Sequence, residues 1–164
     1  GKDSQNALWK AIEVGAIDTI ATDHCPFQSY EKDWGKDDFT KIPNGCAGVE
    51  NLYPYMLSAA NNGKLTFNRV IELCSYNPAK IFGCTDKGML SVGKDADIVI
   101  YDPNKEFTIS VENMHSDYDH TIWEGKKLNG YPVKTFVRGT LVYDNGEFVG
   151  KPGFGQFVKR KAHK

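Results

Sequence analysis

The chain has no excess of either charge, because 20 basic and 21 acidic side chains leave a formal net charge of −1. Such a balance provides no general attraction for nucleic acid or for an anionic membrane surface. The sequence also lacks an apolar run of membrane-spanning length, and no signal-peptide pattern opens it. We therefore expect a cytoplasmic protein that binds neither nucleic acid nor membrane, and its partners must be inferred from local motifs.

Cysteine is scarce, with four residues that form neither a Cys-x-x-Cys pair nor a Cys/His spacing typical of zinc sites. Free thiols in a reducing compartment are thus favoured over a disulfide framework. The hydrophobic fraction of 40% in 164 residues is sufficient to bury a core. Composition therefore indicates a globular chain of one domain, or of pieces of two.

The segment 19–26 contains the most informative residue, Asp23. The β-branched and apolar residues before it predict a short strand of the fully covered parallel type, which Pro26 cannot extend. The Asp23 carboxylate would then lie at the edge of a sheet, where α/β barrels place their active sites. Position alone leaves three roles open, namely a metal ligand, a general base and a cap of the following turn.

The two residues after Asp23 are interpreted as structural. Adjacent strand residues point to opposite faces, so His24 and Cys25 cannot both contact an ion held by Asp23. We expect His24 to be hydrogen-bonded within the fold. No basic neighbour would stabilise a Cys25 thiolate, and this thiol is expected to be buried and unreactive.

Apolar residues at helical spacing predict helices on both sides of this segment. The first helix buries Leu8 and Ile12 and ends at Gly15. A later one covers 50–62 and is expected to be interrupted at Pro54. Because a helix begins almost at the first residue, which is not Met, we expect the chain to start inside a longer protein.

The next predicted helix begins at its N-cap residue, Thr66. Its apolar residues follow an i, i+3, i+4, i+7 pattern that should face the core. These residues are Phe67, Val70, Ile71 and Cys74. Cys74 is therefore interpreted as a packing residue.

The polar segment 28–41 could be a mobile lid, although a surface loop held in place by its aromatic residues is favoured. It leads into Pro43, Asn44 and Gly45, a sequence that predicts irregular backbone able to approach a ligand closely. Asn44 is a candidate binding residue. Taken alone, it is better explained by the geometry of the turn before Gly45.

The pattern changes near Gly88 from helical spacing to strands separated by turn residues. Residues 96–102 predict a buried strand, and Asn145 with Gly146 predicts a hairpin turn. We expect three parts, 1–87, 88–150 and a basic tail at 151–164. The tail suits an extended path against a neighbouring subunit better than contact with nucleic acid.

The run Ala21–Phe27 resembles the last barrel-strand motif of the hydantoinase and dihydropyrimidinase family of cyclic amidohydrolases. Nearly the whole chain carries similar family segments. They are 8–11, 43–45, 48–50, 77–83, 92–97, 137–139 and 155–160. The resemblance implies an α/β fold in which 1–87 is the C-terminal piece of a (β/α)8 metal-dependent hydrolase barrel, and 88–150 is part of a β-sandwich.

The resemblance also implies a mechanism with two divalent metal ions, commonly zinc. Asp23 would bind one ion, take a proton from the bridging hydroxide as it attacks a ring carbonyl, and pass it to the departing nitrogen. This agrees with the need of a poorly electrophilic amide for a Lewis acid. Asn44 matches the position where the family holds the amide or ureide edge of the substrate, mainly through backbone groups. The family forms dimers or tetramers, which implies a homo-oligomer.

The remaining metal ligands of the family have no counterpart in this chain. The spacing of the four histidines cannot replace the family's His-x-His pair, its carboxylated lysine and its two further histidines. These four are His24, His115, His120 and His163. We therefore expect the isolated chain to be inactive and to hold no metal pair.

Three alternatives belong to the same family. Dihydroorotases usually carry a histidine where Phe27 stands, so a neutral hydantoin or dihydropyrimidine ring is favoured over a carboxylate-bearing substrate. Allantoinase activity is the nearer competitor. A non-catalytic oligomerising scaffold is disfavoured, because that branch lacks the acid found here as Asp23.

Overall fold

The computed structural model describes residues 1–161. The described helices are α1 (Lys2–Glu13), α2 (Ser29–Lys32), α3 (Val49–Asn61), α4 (Phe67–Ile71) and α5 (Asn77–Ile81). The described strands are β1 (Ile98–Thr108), β2 (Lys127–Val137), β3 (Thr140–Asp144) and β4 (Glu147–Phe148). Short 3-10 turns cover Asp33–Gly35, Phe39–Lys41 and Val111–Asn113, and a π-helical turn covers Glu72–Tyr76.

Helix α1 contacts the core through Ile12, which is buried, and Trp9, which is half-buried. Gly15 follows the helix in the left-handed conformation expected of a C-terminal glycine, with φ of 81°. The expected burial of Leu8 is wrong, since that side chain is 58% exposed. Trp9 and Ile12 pack on the core, whereas Leu8, one turn before Ile12 on the same side of the helix, is not covered by the described residues.

Helix α3 is continuous, so the expected interruption at Pro54 is wrong. Proline removes one backbone donor and leaves the carbonyl of Glu50 without its helical partner. Packing outweighs this loss, because Met56 and Leu57 are each 3% exposed in the core. The hydroxyl of Ser58 also accepts a hydrogen bond from the Asn129 backbone N–H at 2.8 Å, which joins α3 to β2.

Thr66 is the N-cap of α4, as predicted, and its hydroxyl accepts a hydrogen bond from the Arg69 N–H at 3.1 Å. The buried face differs from the prediction. Val70 and Leu73 are fully buried, whereas Phe67 and Ile71 are exposed. The π-helical turn after α4 widens the helix and changes its phase, so that Leu73 takes the core position.

Cys74 packs against the helical core, as expected for a structural thiol. Burial raises the pKa of this thiol to about 11. The protonated form therefore predominates near neutral pH, which agrees with a packing role.

The strands form one antiparallel sheet in the order β1-β2-β3-β4. Asn145 and Gly146 join β3 to β4 with φ values of 50° and 108°, which confirms the predicted hairpin. The expected buried strand at 96–102 is wrong in both its length and its burial. It starts at Ile98, continues to Thr108, and leaves Val99 38% exposed. The physical reason is that β1 is an edge strand with two register shifts.

Two hydrophobic clusters form the core. The larger one joins α1, α3, α4 and the π-helical turn, and the smaller one lies on the sheet around Ile109, Leu128 and Tyr131. Tyr55 of α3 packs against both clusters. Helix α3 thus connects the helical part of the chain to the sheet. The boundary proposed near Gly88 stays a prediction.

Glu50, in the first turn of α3, forms a second connection to the β-rich part. Its carboxylate accepts hydrogen bonds from the His115 backbone N–H at 2.9 Å and from the Ser116 hydroxyl at 3.2 Å. The His115 ring lies between two acceptors. Its Nδ1 is 2.7 Å from Glu50 Oε1, and its Nε2 is 3.0 Å from the Gly146 carbonyl oxygen.

Residues 151–161 contain neither helix nor strand, and His163 and Lys164 lie outside the described residues. Arg138 donates a hydrogen bond to the Phe154 carbonyl at 2.6 Å, and its guanidinium lies 4.5 Å from the centre of the Phe154 ring. Farther along, the Lys161 N–H binds the Gly83 carbonyl at 2.9 Å. The described part of the tail is therefore attached to the body of the chain at two points.

Candidate functional site

Asp23 lies in a segment without regular secondary structure, so the predicted strand does not form within the described residues. Within the described residues, the segment makes one parallel bridge, between His24 and Cys46. The Cys25 N–H binds the Cys46 carbonyl at 3.1 Å. A parallel strand requires neighbours along its whole length, and residues 1–161 provide only this short contact.

The Asp23 side chain is exposed, and no hydrogen bond or ion pair reaches its carboxylate from residues 1–161. Its backbone has a φ of 47°, a left-handed conformation that is uncommon outside glycine. Such conformations cost energy and occur often at functional sites. The structure therefore presents a free carboxylate on an unusual backbone.

His24 is hydrogen-bonded within the fold, as expected. Its Nδ1 accepts hydrogen bonds from the N–H groups of Gly48 at 3.0 Å and Val49 at 3.2 Å. These groups stand at the start of α3, where backbone donors lack helical partners. An accepting Nδ1 requires the ring proton to be on Nε2. His24 therefore fixes the residue after Asp23 to the beginning of α3.

The Asn44 turn lies beside the Asp23 segment. Asn44 is exposed, and the next residue, Gly45, has a φ of 140°. A Cβ atom at Gly45 would lie 2.3 Å from the carbonyl oxygen of Cys25, closer than nonbonded atoms can approach. The structure thus brings together the two segments that carry the predicted site residues, and only glycine permits this approach.

The expected burial of Cys25 is wrong, because both Cys25 and Cys46 are exposed. The two segments pair with each other, and no further layer from the described residues covers their thiols. All four cysteines are free thiols.

Lys32 is a residue of this region that the sequence interpretation missed. Its ammonium donates hydrogen bonds to the carbonyl oxygens of Pro43 at 2.5 Å and Gly45 at 2.8 Å. It also lies 4.9 Å from the centre of the Phe27 ring, close enough for a cation–π interaction. A single lysine in a charged loop gave no signal of these contacts, since both carbonyl partners come from a separate segment.

The segment 28–41, predicted as a surface loop, contains α2 and two 3-10 turns. The expectation that its aromatic side chains hold it in place is wrong, because Tyr30, Trp34 and Phe39 are 64%, 57% and 82% exposed. Polar contacts hold this segment in place instead.

These contacts join the start of α2 to residues 117–119. The Gln28 side chain donates to the Asp117 carbonyl at 3.1 Å and accepts from the Asp119 N–H at 3.1 Å. The Ser29 N–H binds the Asp119 carboxylate at 2.9 Å. Hydrogen bonds from His120 and from Ser29 lower the pKa of the Asp119 carboxyl, which keeps this acceptor ionised.

A small recess of about 270 Å³ opens beside the Asn44 turn. It is lined by Phe27, Lys32, Gly45, Cys46, Ala47, His120, Thr121 and Ile122. Apolar side chains and peptide groups dominate this wall, which is typical of small-molecule sites.

The described residues do not form a complete metal site. Within residues 1–161 no three His, Cys, Asp or Glu side chains converge. The free Asp23 carboxylate fits a divalent ion, whereas Nδ1 of His24 is already occupied by backbone donors. Catalytic zinc sites use about three protein ligands. Completion of such a site would require residues beyond those described.

The comparisons with known proteins agree with this arrangement. A sequence model described as "Amidohydrolase family" matches residues 2–142. The chain therefore belongs to the amidohydrolase family.

No described helix has the length and apolar character needed to cross a membrane.

Similar proteins in this family are hydantoinases. The D-hydantoinases of Rhizobium radiobacter and Geobacillus stearothermophilus are 40% and 42% identical over 99% and 95% of this chain. A D-phenylhydantoinase of Escherichia coli (strain K12 / DH10B) is 41% identical over 96% of it. The resemblance noted in the sequence is thus confirmed. The chain spans only 36%, 34% and 35% of the lengths of these relatives.

Solved structures give the same result. One D-hydantoinase structure aligns with this chain at a TM-score of 0.94 and 38% identity. The alignment covers 98% of this chain and 36% of that protein. The D-hydantoinase (dihydropyrimidinase) from Thermus sp. covers 95% with a TM-score of 0.91 and 40% identity, over 34% of its own length. The L-hydantoinase (dihydropyrimidinase) from Arthrobacter aurescens has a TM-score of 0.87 and 39% identity, with coverage of 93% and 34%.

Proposed function

We propose that this chain is part of a metal-dependent hydrolase that opens cyclic amides, with Asp23 as metal ligand and proton shuttle and Asn44 as a substrate-binding residue. The observation that carries the proposal is the free, exposed carboxylate of Asp23 on a segment paired with the Asn44 turn. The hydantoinase relatives support the reaction class. The corresponding fold is the end of a (β/α)8 barrel at 1–87 and part of a β-sandwich at 88–150.

Hydrolysis of a ring amide requires one group that can both accept and release a proton. The oxygen of water bonds to the ring carbonyl carbon, the C–N bond breaks, and a proton of that water passes to the departing nitrogen. The Asp23 carboxylate has no partner to neutralise it within the described residues and can accept this proton before it returns it. The product is one ring-opened molecule that carries the new carboxylic acid at one end and the released amine, amide or ureide nitrogen at the other.

Two divalent metal ions, which we propose to be zinc, would polarise the carbonyl and activate water when bound. Asp23 would hold one of them. Residues outside this chain would supply the other ligands, because no complete ligand cluster exists within the described residues.

Asn44 would bind the amide or ureide edge of the ring through peptide groups of its turn. The turn is exposed beside an apolar recess, and glycine at position 45 permits the backbone to lie there. Phe27 contributes an apolar wall to this recess and favours a neutral ring. Hydantoins and dihydropyrimidines fit this description, and the names of the relatives support the same substrates. We further propose a homo-oligomer, either a dimer or a tetramer.

The test compares D23N with D37N in the complete protein that contains this chain. Asp37 is another exposed acid that has no partner within the described residues, and it provides a matched control. We expect D23N to lower kcat for hydantoin and dihydrouracil by about 10³-fold or more, because the proton shuttle and a metal ligand are lost together. D37N should retain normal kcat. Unchanged turnover in D23N would refute the assignment, and faster turnover of allantoin or dihydroorotate than of either ring would refute the substrate class.

A further inference from the structure

Lys32 forms an unusual pair of contacts with the backbone on both sides of Asn44. Its ammonium binds the carbonyl oxygen of Pro43 at 2.5 Å and that of Gly45 at 2.8 Å. Both hydrogen bonds are partly buried. A hydrogen bond from a charged donor is roughly twice as strong as a neutral one. One cation thus fixes two peptide planes of a turn that has no regular secondary structure.

The geometry of the peptide group determines which way the neighbouring N–H groups point. The Pro43 carbonyl shares its peptide plane with the N–H of Asn44, and in a trans peptide the two point in opposite directions. A cation on the carbonyl therefore turns the Asn44 N–H away from Lys32. The Gly45 carbonyl shares its peptide plane with the N–H of Cys46, which belongs to the bridge with His24, so this second contact fixes the turn against the Asp23 segment. Hydrogen bonds also polarise one another, so the charged contact makes each N–H a stronger donor.

Lys32 is itself held on two sides. Its ammonium lies 4.9 Å from the centre of the Phe27 ring, which belongs to the segment that carries Asp23. The start of its helix is attached to residues 117–119 through Gln28 and Ser29. The helix that carries Lys32 is therefore held in place. A donor on a rigid element positions the two carbonyl groups better than a mobile donor would.

We propose that Lys32 is a positioning residue that orients and polarises the Pro43–Asn44 peptide group, so that the Asn44 N–H donates to a carbonyl oxygen of a cyclic amide or ureide. This inference rests on the proposed function of the turn. Lys32 does not touch the reacting atoms in this proposal and acts only through the backbone. Its loss should therefore weaken substrate binding more than it slows the chemical step.

The experiment compares K32M, K32R and K36M in the complete protein that contains this chain. Methionine keeps much of the apolar length of lysine without its charge, and arginine keeps the charge. Lys36 is the matched control, because its ammonium is exposed and pairs with Asp33 on the surface at 2.7 Å. For dihydrouracil we expect K32M to raise KM about tenfold with kcat changed less than about threefold. K32R should recover part of the loss, and K36M should match the parent.

A second measurement does not depend on activity. Hydrogen–deuterium exchange of the peptide that covers 42–48 should be faster in K32M than in the parent and in K36M, because the turn loses the ammonium that holds its carbonyl groups. Metal content should remain equal in all variants. An unchanged KM, or unchanged exchange in K32M, would overturn the role of Lys32. A parent protein that hydrolyses no cyclic amide would instead overturn the proposed function, and the exchange measurement would still report on the contact.

Discussion

The carboxylate of Glu50 and the ring of His115 form an ion pair at 2.7 Å that joins helix α3 to the β-rich part of the chain. The other ring nitrogen faces the Gly146 carbonyl oxygen at 3.0 Å, so both nitrogens have an acceptor. Only the protonated ring can donate to both. The hydrogen bond to Glu50 raises the pKa of His115 above its usual range, against a smaller opposing effect of burial.

This pair should make the stability of the chain depend on pH. Because the pKa is raised in the folded state, the stabilisation is complete below the ordinary histidine pKa of about 6.5 and is lost as pH rises through the folded-state pKa. We expect the parent Tm to fall relative to that of H115Q as pH rises above about 6.5. Calorimetry at several pH values measures this difference. E50Q should remove the same dependence, and parallel curves for parent and H115Q would contradict the prediction.

Gly45 should be sensitive to any added side chain. In G45A the new Cβ would lie 2.3 Å from the Cys25 carbonyl oxygen, on a backbone with a φ of 140°. We expect a loss of about 1–3 kcal/mol in the free energy of unfolding, measured with urea. G153A is the control, since Gly153 also has a positive φ but a Cβ atom there would meet no other atom within 4 Å. Equal losses in the two variants would assign the whole effect to backbone strain.

Gly83 should control the attachment of the tail. A Cβ atom at this position would lie 2.1 Å from the Lys161 carbonyl oxygen, whereas at Gly63 it would meet no atom within 4 Å. The φ values of the two glycines are similar, at 70° and 76°. We expect trypsin to cleave G83A after Lys159 and Arg160 faster than the parent or G63A. Equal cleavage of the two variants would show that the Gly83 contact does not hold the tail.

The isolated chain should hold no metal pair, since residues 1–161 contain no cluster of three or more potential ligand side chains around Asp23 or elsewhere. Elemental analysis of the purified chain after dialysis against zinc tests this expectation. We expect much less than one zinc ion per chain. Two ions per chain, bound in near-stoichiometric amounts, would overturn the view that the other ligands come from additional residues.

Local chemistry explains which elements the sequence could predict. Thr66 caps its helix through its own hydroxyl, and Asn145 with Gly146 adopts the positive φ values that a tight hairpin requires. Gly15 likewise has a positive φ, which glycine adopts readily after the last turn of α1. Each of these features depends on residues a few positions apart, so the signal lies within a short stretch of sequence.

The features that the sequence did not predict depend on distant contacts. The segment before Asp23 has strand-like composition, but a strand forms only where neighbours provide hydrogen bonds along it. Pro54 is tolerated because α3 is buried on the core. Lys32 contributes to the site region through two carbonyl groups that no sequence pattern connects to it. Asp23 and Asn44 were identifiable by resemblance, and their roles in the complete protein stay proposals.

The hydrogen bonds from Gly48 and Val49 to His24 have a practical consequence for protein engineering. They connect the start of α3 to His24, the residue after Asp23. The bridge between His24 and Cys46 connects the same residue to the Asn44 turn. We therefore expect residues 22–49 to be exchanged between homologous proteins most readily as one segment, together with residues 117–119 that bind Gln28 and Ser29. Grafts that cut between these anchors would separate the acid from the scaffold that orients it.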